Sequence, residues 1–186
     1  MKSPVILIPG LEGSTLEAKL DKPNARHWWC FKKSDYFNLW LSVYPVLSFD
    51  CWLDNLKLEY DPVRRKTKNS PITRVPAWGE TKTIEWIGEY FGAFYYFIVD
   101  ALVERGYVRG QNLFGAPYDF CNGPNELKYW FEQLKHLTKY AVGSNNDVGV
   151  TFIAYSMGGR MLLHFLQQMP QSWKDSASNS SIINWI

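Results

Sequence analysis

The sequence predicts an α/β fold built on a parallel sheet, and three observations carry that expectation. The stretch VGVTFIAYSMGGRMLLHFLQQ at 148–168 opens as an apolar, β-rich run. It continues with Met161, Leu162, Phe165 and Leu166, then Met169, at the three- and four-residue spacing of a helix. Pro4 to Ile8 is a second short apolar strand, and between the two, helical patterns alternate with apolar segments. No internal repeat is visible, and 186 residues suffice for one domain with a real core.

The loop after the first strand, Pro9-Gly10-Leu11-Glu12-Gly13-Ser14-Thr15, lacks the spacing of a phosphate cradle. Its other use is to aim backbone N–H groups at a developing oxyanion; the plainer alternative is an ordinary turn. Residues 27–52 crowd aromatics without helical or strand period: some must be core, and His27 reads as a structural histidine. Leu56, Leu58 and Tyr60 alternate with Lys57 and Glu59, which predicts a half-buried strand ended by Asp61-Pro62. A polar loop is expected from there to about Glu80.

Tyr90 to Arg105 reads as a helix with Phe94, Phe97, Ile98, Ala101 and Leu102 on one face, stopped by Gly106. Residues 112–116 read as a short strand, and Asn125 to Tyr140 as a second helix ended by a Gly143-Ser144-Asn145-Asn146 turn. After the opening stretch, Ser176 to Ser181 is a polar patch holding a formal glycosylation triplet, Asn179-Ser180-Ser181. A short apolar segment, Ile182 to Ile186, closes the chain.

With 46% hydrophobic residues, 17% aromatic and nine tryptophans, the composition suits a surface that handles apolar ligands or lipid. A net charge of +2 gives no reason to expect a nucleic-acid partner. The basic run Arg64, Arg65, Lys66 and Lys68 reads as a solvated loop. No window is long and apolar enough for a transmembrane helix. Val5 to Ile8 is too short for a signal-peptide core, so the compartment stays unassigned, and a leader upstream is compatible with the chain. Three cysteines, Cys30, Cys51 and Cys121, argue against a full disulfide framework. Cys30 and Cys51 are close enough to close a small loop, worth about 3 kcal/mol in an oxidising compartment.

Chemistry concentrates at Ala154-Tyr155-Ser156-Met157-Gly158, where small residues stand two before and two after a serine. A sharp strand-to-helix turn needs that spacing, because larger side chains would strike the neighbouring backbone. The turn lifts the serine hydroxyl to the top of the sheet. Such pentapeptides are common, but here a strand precedes and a helix follows, so Ser156 is the candidate nucleophile.

Taken together, these pieces resemble the lecithin:cholesterol acyltransferase family, which includes lysosomal phospholipase A2 and phospholipid:sterol or diacylglycerol acyltransferases. The resemblance rests on PVILIPGLEGSTLEAKLDKP at 4–23, HWWC at 27–30, DCWLDNLKLEYD at 50–61 and RVPAWGETKTIEWI at 74–87. LVERGYVRGQNLFGAPYDF at 102–120 and AYSMGGRMLLHFLQQMPQSWKD at 154–175 complete it, in family order. It implies an α/β-hydrolase fold in which Ser156 is the nucleophile and the backbone N–H groups of Leu11 and Met157 form the oxyanion hole. It further implies a Cys30–Cys51 disulfide tying an aromatic lipid-engaging insertion, about 27–55, with Trp28, Trp29, Phe37 and Trp40 in or beside it. The implied chemistry is transfer of a fatty acyl group from a phospholipid to an alcohol, such as a sterol, or to water. The implied partner is a phospholipid, lipoprotein or membrane surface, with no metal or cofactor. The family suggests the secretory pathway, lysosome or extracellular space.

The chain departs from the family pattern at Tyr155, usually His, at Leu11, where some relatives carry Asp, and at Cys121, usually Arg. On this fold the triad runs Ser, then acid, then His. About 30 residues follow Ser156, holding only Asp175 and His164. His164 sits eight residues along the same helix, roughly 12 Å from the serine, and precedes the acid. Asp175 reads as structural, and His27 and His136 lie upstream. The expectation is therefore the N-terminal half of a hydrolase with an atypical tail at 176–186, inactive alone. The alternative is a catalytically dead lipid-binding remnant.

Overall fold

Val5, Ile6, Leu7 and Ile8 are all buried, so the strand they form, β1 (Val5–Ile8), must be covered on both faces. The structure is a computed structural model that describes residues 2–42, 44–69, 71–88, 92–177 and 182–185. After β1 come β2 (Leu16–Lys19), β3 (Phe37–Trp40) and a helix, α1 (Tyr44–Leu56), that breaks at Ser48. Strands β4 (Leu58–Asp61), β5 (Lys66–Asn69) and β6 (Ile72–Arg74) lead to the one-turn helix α2 (Lys82–Glu85). Next are α3 (Tyr96–Glu104), β7 (Leu113–Gly115) and α4 (Lys128–Gly143). The chain continues with β8 (Thr151–Tyr155), α5 (Met157–Gln168), α6 (Gln171–Ala177) and β9 (Ile182–Trp185).

The main sheet is parallel throughout, in the order β7-β1-β8-β9. Alternation along β1 divides the core. Ile6 and Ile8 join Phe114, Phe152 and Ala154 on one face, under Phe131 and Leu134 of α4 and Met161, Leu162 and Phe165 of α5. Val5, Leu7 and Leu113 face the other way, against Ile84, Tyr95 and Val99. Each such side chain, fully buried, contributes about 1.5–3 kcal/mol, so the sheet is held from both sides.

A smaller antiparallel sheet, β3-β2-β6, carries Leu16, Ala18 and Leu39, packed with Trp52 of α1. The Trp52 indole N–H donates to the Leu39 carbonyl at 3.0 Å, which seats α1 on this sheet. Cys30 and Cys51 form a disulfide that closes the intervening aromatic segment.

Several expectations change. The helix expected from Tyr90 starts at Tyr96; Tyr90 itself lies outside the described residues. Its buried face is the expected one only in part: Phe94 and Leu102 pack on the core, but Phe97 and Ile98 are exposed and Val99 is buried. The core side takes Tyr95, Val99, Leu102 and Val103, with Phe94. The alternating Leu58 and Tyr60 are both exposed, because β4 pairs only with β5 in an isolated hairpin. That hairpin also turns the basic run into strand: Lys66 and Lys68 lie in β5, solvent-facing as expected. The polar loop expected to reach Glu80 thus holds β5 and β6. The triplet at Asn179 lies outside the described residues.

One buried carboxylate braces the underside of the sheet. Glu85 receives both Arg109 guanidinium bonds, at 2.7 and 2.8 Å, and the Thr81 hydroxyl. Burial pushes its carboxyl up, but the bonds from Arg109 and Thr81 and the guanidinium charge together leave it below its ordinary value of 4.5. The stabilisation is therefore complete above pH 4.5 and is lost as pH falls through the lower, folded value. Glu85→Gln should cost about 1–2 kcal/mol at pH 7, the half-exposed Arg109 limiting the loss. In urea titrations the gap to the unaltered chain should close as pH falls toward the acid limit.

Candidate active site

The register of the main sheet sets Ile8 opposite Ala154, so the loops leaving β1 and β8 emerge side by side. Ser156 sits in the second of these, at φ 52° and ψ −120°, a left-handed conformation that a residue with a side chain rarely adopts. It is exposed, and α5 begins at the next residue. The Gly159 N–H bonds back to the Ser156 carbonyl at 3.1 Å, closing the turn. Positive partial charge at the start of α5 lies beside the serine, where it favours a developing anion.

Glycine is required by contact, not by flexibility. A Cβ on Gly158 would lie 2.4 Å from the Pro9 carbonyl oxygen and 2.6 Å from that of Ile8. One on Gly10 would stand 3.0 Å from the Ser156 Cβ and equally close to the Tyr155 ring. The β1 loop and the serine turn therefore touch backbone to backbone. Leu11, exposed, and Met157, half-buried, follow Gly10 and Ser156 directly on the two sides of this contact.

The β1 loop is anchored along its length. The Gly13 N–H donates to the Gly10 carbonyl at 3.1 Å, and the buried Ser14 hydroxyl accepts the Tyr118 N–H at 3.1 Å. The Trp40 indole N–H donates to the Glu12 carbonyl at 2.9 Å. Trp40 also stacks on Trp52 and meets Phe120 edge-on, so it packs between the two sheets. Phe37 likewise packs into the small-sheet cluster. Trp28, at 90%, and Trp29 are exposed just before the disulfide-closed segment, and Phe31 is exposed just inside it.

None of the three histidines is a partner of Ser156. His27 stacks on Trp29 at 4.3 Å and contacts Asp50 at 3.2 Å, in the aromatic segment. His164 contacts Gln168 and packs on Phe131 of α4, while His136 is exposed on α4. Among the described residues, no side chain hydrogen-bonds the Ser156 hydroxyl. Asp175 falls in α6, and its side chain is outside the described part. Tyr155 is half-exposed beside the nucleophile position, its ring edge-on to Phe94 at 5.6 Å. Cys121 is a free thiol that burial, then the Asp119 carboxylate, pushes up to about 12. It stays protonated and adds no nucleophile. Sequence reasoning passed over the Trp40 bond to Glu12, because no periodicity marks an indole N–H that reaches a neighbouring loop.

Gly158→Ala should lower stability by about 1–3 kcal/mol, because the new methyl meets two backbone carbonyls that cannot turn aside. A thermal melt should show a fall of several degrees, and an unchanged midpoint would mean that the two loops are not in contact.

The chain matches the family model described as lecithin:cholesterol acyltransferase over residues 36–184. It is 41% identical over 181 residues to the rat "Lysosomal phospholipase A and acyltransferase", covering 92% of this chain and 43% of that protein. It is 39% identical over 181 residues to the human protein of the same description, with the same coverage. To the chicken "Phosphatidylcholine-sterol acyltransferase" it is 39% identical over 178 residues, again covering 92% of this chain and 43% of the relative. The chain thus spans less than half the length of the curated relatives it matches. The strained serine between glycine-lined loops, the closed aromatic segment and these matches agree: the chain belongs to the lecithin:cholesterol acyltransferase family.

Proposed function

We propose that the chain carries the nucleophile and oxyanion hole of a lipid acyl-transfer site, on the N-terminal half of an α/β-hydrolase-type sheet. The observation that carries this reading is the positive φ of Ser156 against the β1 loop. A strained backbone held by close packing is common where a side chain must be presented in one orientation. The relatives are named as phospholipase A, acyltransferase and phosphatidylcholine-sterol acyltransferase, which gives the substrate class.

Ser156 Oγ attacks the ester carbonyl carbon of a phospholipid and gives up its proton to solvent water as the C–O bond forms, the serine being exposed. The carbonyl oxygen becomes an oxyanion held by the backbone N–H groups of Leu11 and Met157, each worth about 3 kcal/mol. Collapse expels the lysophospholipid alkoxide, which takes a proton, and leaves the acyl group on the serine. An alcohol or water then attacks the acyl-enzyme and releases the serine. With no imidazole at Ser156 among the described residues, the isolated chain reacts orders of magnitude more slowly than a complete triad.

Reaction with a fluorophosphonate probe tests this. Labelling should be slow, specific and abolished by Ser156→Ala; equal labelling of the two proteins would sink the reading.

A second role needs no chemistry. Trp28 and Trp29, with Phe31, present exposed aromatic rings on the 27–55 insertion, while Phe37 and Trp40 pack on the small-sheet core. Such exposed rings suit insertion into a phospholipid or lipoprotein surface. Liposome flotation should be unchanged by Ser156→Ala and weakened roughly ten- to a hundredfold by Trp28→Ala, the loss expected for about 1.5–3 kcal/mol of apolar burial. A chain that never floats with liposomes would exclude this role.

A further inference from the structure

We propose that Tyr95 is a positioning residue for the candidate acyl-transfer centre: its buried phenol clamps the carbonyl at which the two chain segments that lead into the oxyanion loop and the serine turn last meet. The inference rests on the reading of Ser156 as nucleophile and adds a residue to it.

Tyr95 is 2% exposed, and its hydroxyl donates to the Ile8 carbonyl at 2.9 Å. The same carbonyl stands at the last rung joining β1 to β8, where Ile8 pairs with Ala154. Ile8 is the last residue before Pro9-Gly10-Leu11, and Tyr155 is the last before Ser156-Met157. The parallel ladder explains why these two groups need a clamp. Thr151 N–H donates to the Pro4 carbonyl at 2.8 Å. Repeated every second residue, that pattern brings Tyr155 N–H and Ile8 carbonyl together at the last rung. The next residue on the β1 side is Pro9, which has no N–H to extend the ladder. The two loops diverge there, and the phenol bonds the acceptor of that last rung, the Ile8 carbonyl.

Tyr95 is itself firmly mounted. Its N–H donates to the Ile84 carbonyl at 3.1 Å, and its carbonyl accepts the Val99 N–H at 2.9 Å as α3 begins. Phe94 N–H bonds the carbonyl of Glu85, the residue held by Arg109. The Phe94 ring meets Tyr155, so two consecutive side chains support the serine turn from below. Burial, then the neighbouring Tyr118 phenol, pushes the Tyr95 hydroxyl above its ordinary range, so it stays a donor throughout working pH. Phenylalanine would fill the same volume and clamp nothing.

Amide hydrogen exchange on Tyr95→Phe tests the clamp without requiring any activity. Exchange at Tyr155 to Met157 and at Gly10 and Leu11 should quicken roughly tenfold, with α4 amides such as Leu134 unchanged. No change, or an equal rise everywhere, overturns the inference. Tyr118→Phe is the control: its hydroxyl is as deeply buried but has no partner among the described residues. If it loosens the same amides equally, the effect is generic and the inference falls. With the fluorophosphonate probe, Tyr95→Phe should lower the maximal labelling rate roughly tenfold and leave the half-saturating probe concentration unchanged. Should Tyr95→Phe not fold, the unaltered chain still answers. Its Tyr95 hydroxyl proton should exchange slowly and show a nuclear Overhauser effect to the Tyr155 amide, and free exchange with water overturns the clamp. An unlabelled Ser156 with localised exchange in Tyr95→Phe sinks the acyl-transfer reading and keeps the clamp. A labelled Ser156 without localised exchange sinks the clamp alone.

Discussion

The candidate site depends on one contact, the backbone of Gly158 lying against the carbonyls of Ile8 and Pro9. It fixes how close the first turn of α5 comes to the end of β1, and so how the serine turn meets the loop before Leu11. The contact is possible because β1, buried on both faces, and β8 are neighbours in parallel register and cannot slip without exposing a row of apolar side chains. The strain at Ser156, of order 1–3 kcal/mol, is then held by the close packing of the β1 loop and Gly158 beside it.

The smaller sheet and aromatic segment reach the same place by different chemistry. Trp40 lies between the two cores and spends its indole N–H on Glu12 in the β1 loop. Behind the exposed tryptophans, Lys22 and Asp54 form a buried ion pair at 2.9 Å, with Lys57 on the other carboxylate oxygen at 2.8 Å. Burial raises the Asp54 carboxyl, and the bonds from Lys57 and Lys22 more than offset it. Such a pair adds little net stability against an apolar substitute, but breaking one side of it is costly. Its effect is to hold the loop before Trp28 against α1 in one register. The disulfide holds the other end of the same segment.

Local patterns and the Cys30–Cys51 pair were legible in the sequence; the other partnerships were not. The serine turn could be read because glycine spacing and the change from strand to helix period both lie within about twenty residues. The strand at Leu113–Gly115 and the helix at Lys128–Gly143 were visible for the same reason, to within a few residues. Leu16 to Lys19 and Phe37 to Trp40 were missed, because four residues of strand give almost no period, and aromatics crowd the second. The face of α3 was partly misassigned because Phe97 and Ile98 are apolar yet exposed, which hydropathy alone cannot foresee. Tyr95 carried no signal: its apolar neighbours hide a hydroxyl whose importance lies in a bond 87 residues away.

The two non-glycine residues of left-handed backbone nearest the candidate oxyanion hole are Glu12 and Ser156, one on each side of it. Glycine would adopt those angles at less cost, but it would also leave them free to relax. A residue with a side chain keeps such a conformation only where its surroundings overdetermine it. At Glu12 the surroundings are the Trp40 bond and the Gly10–Gly13 turn; at Ser156 they are the β1 loop, the Gly159 bond and the phenol of Tyr95 below. Donors aimed at a developing charge act only if they do not have to reorganise when it forms. The same bonds that sustain the strain are therefore the ones that fix the loops carrying Leu11 and Met157, the residues of the proposed oxyanion hole.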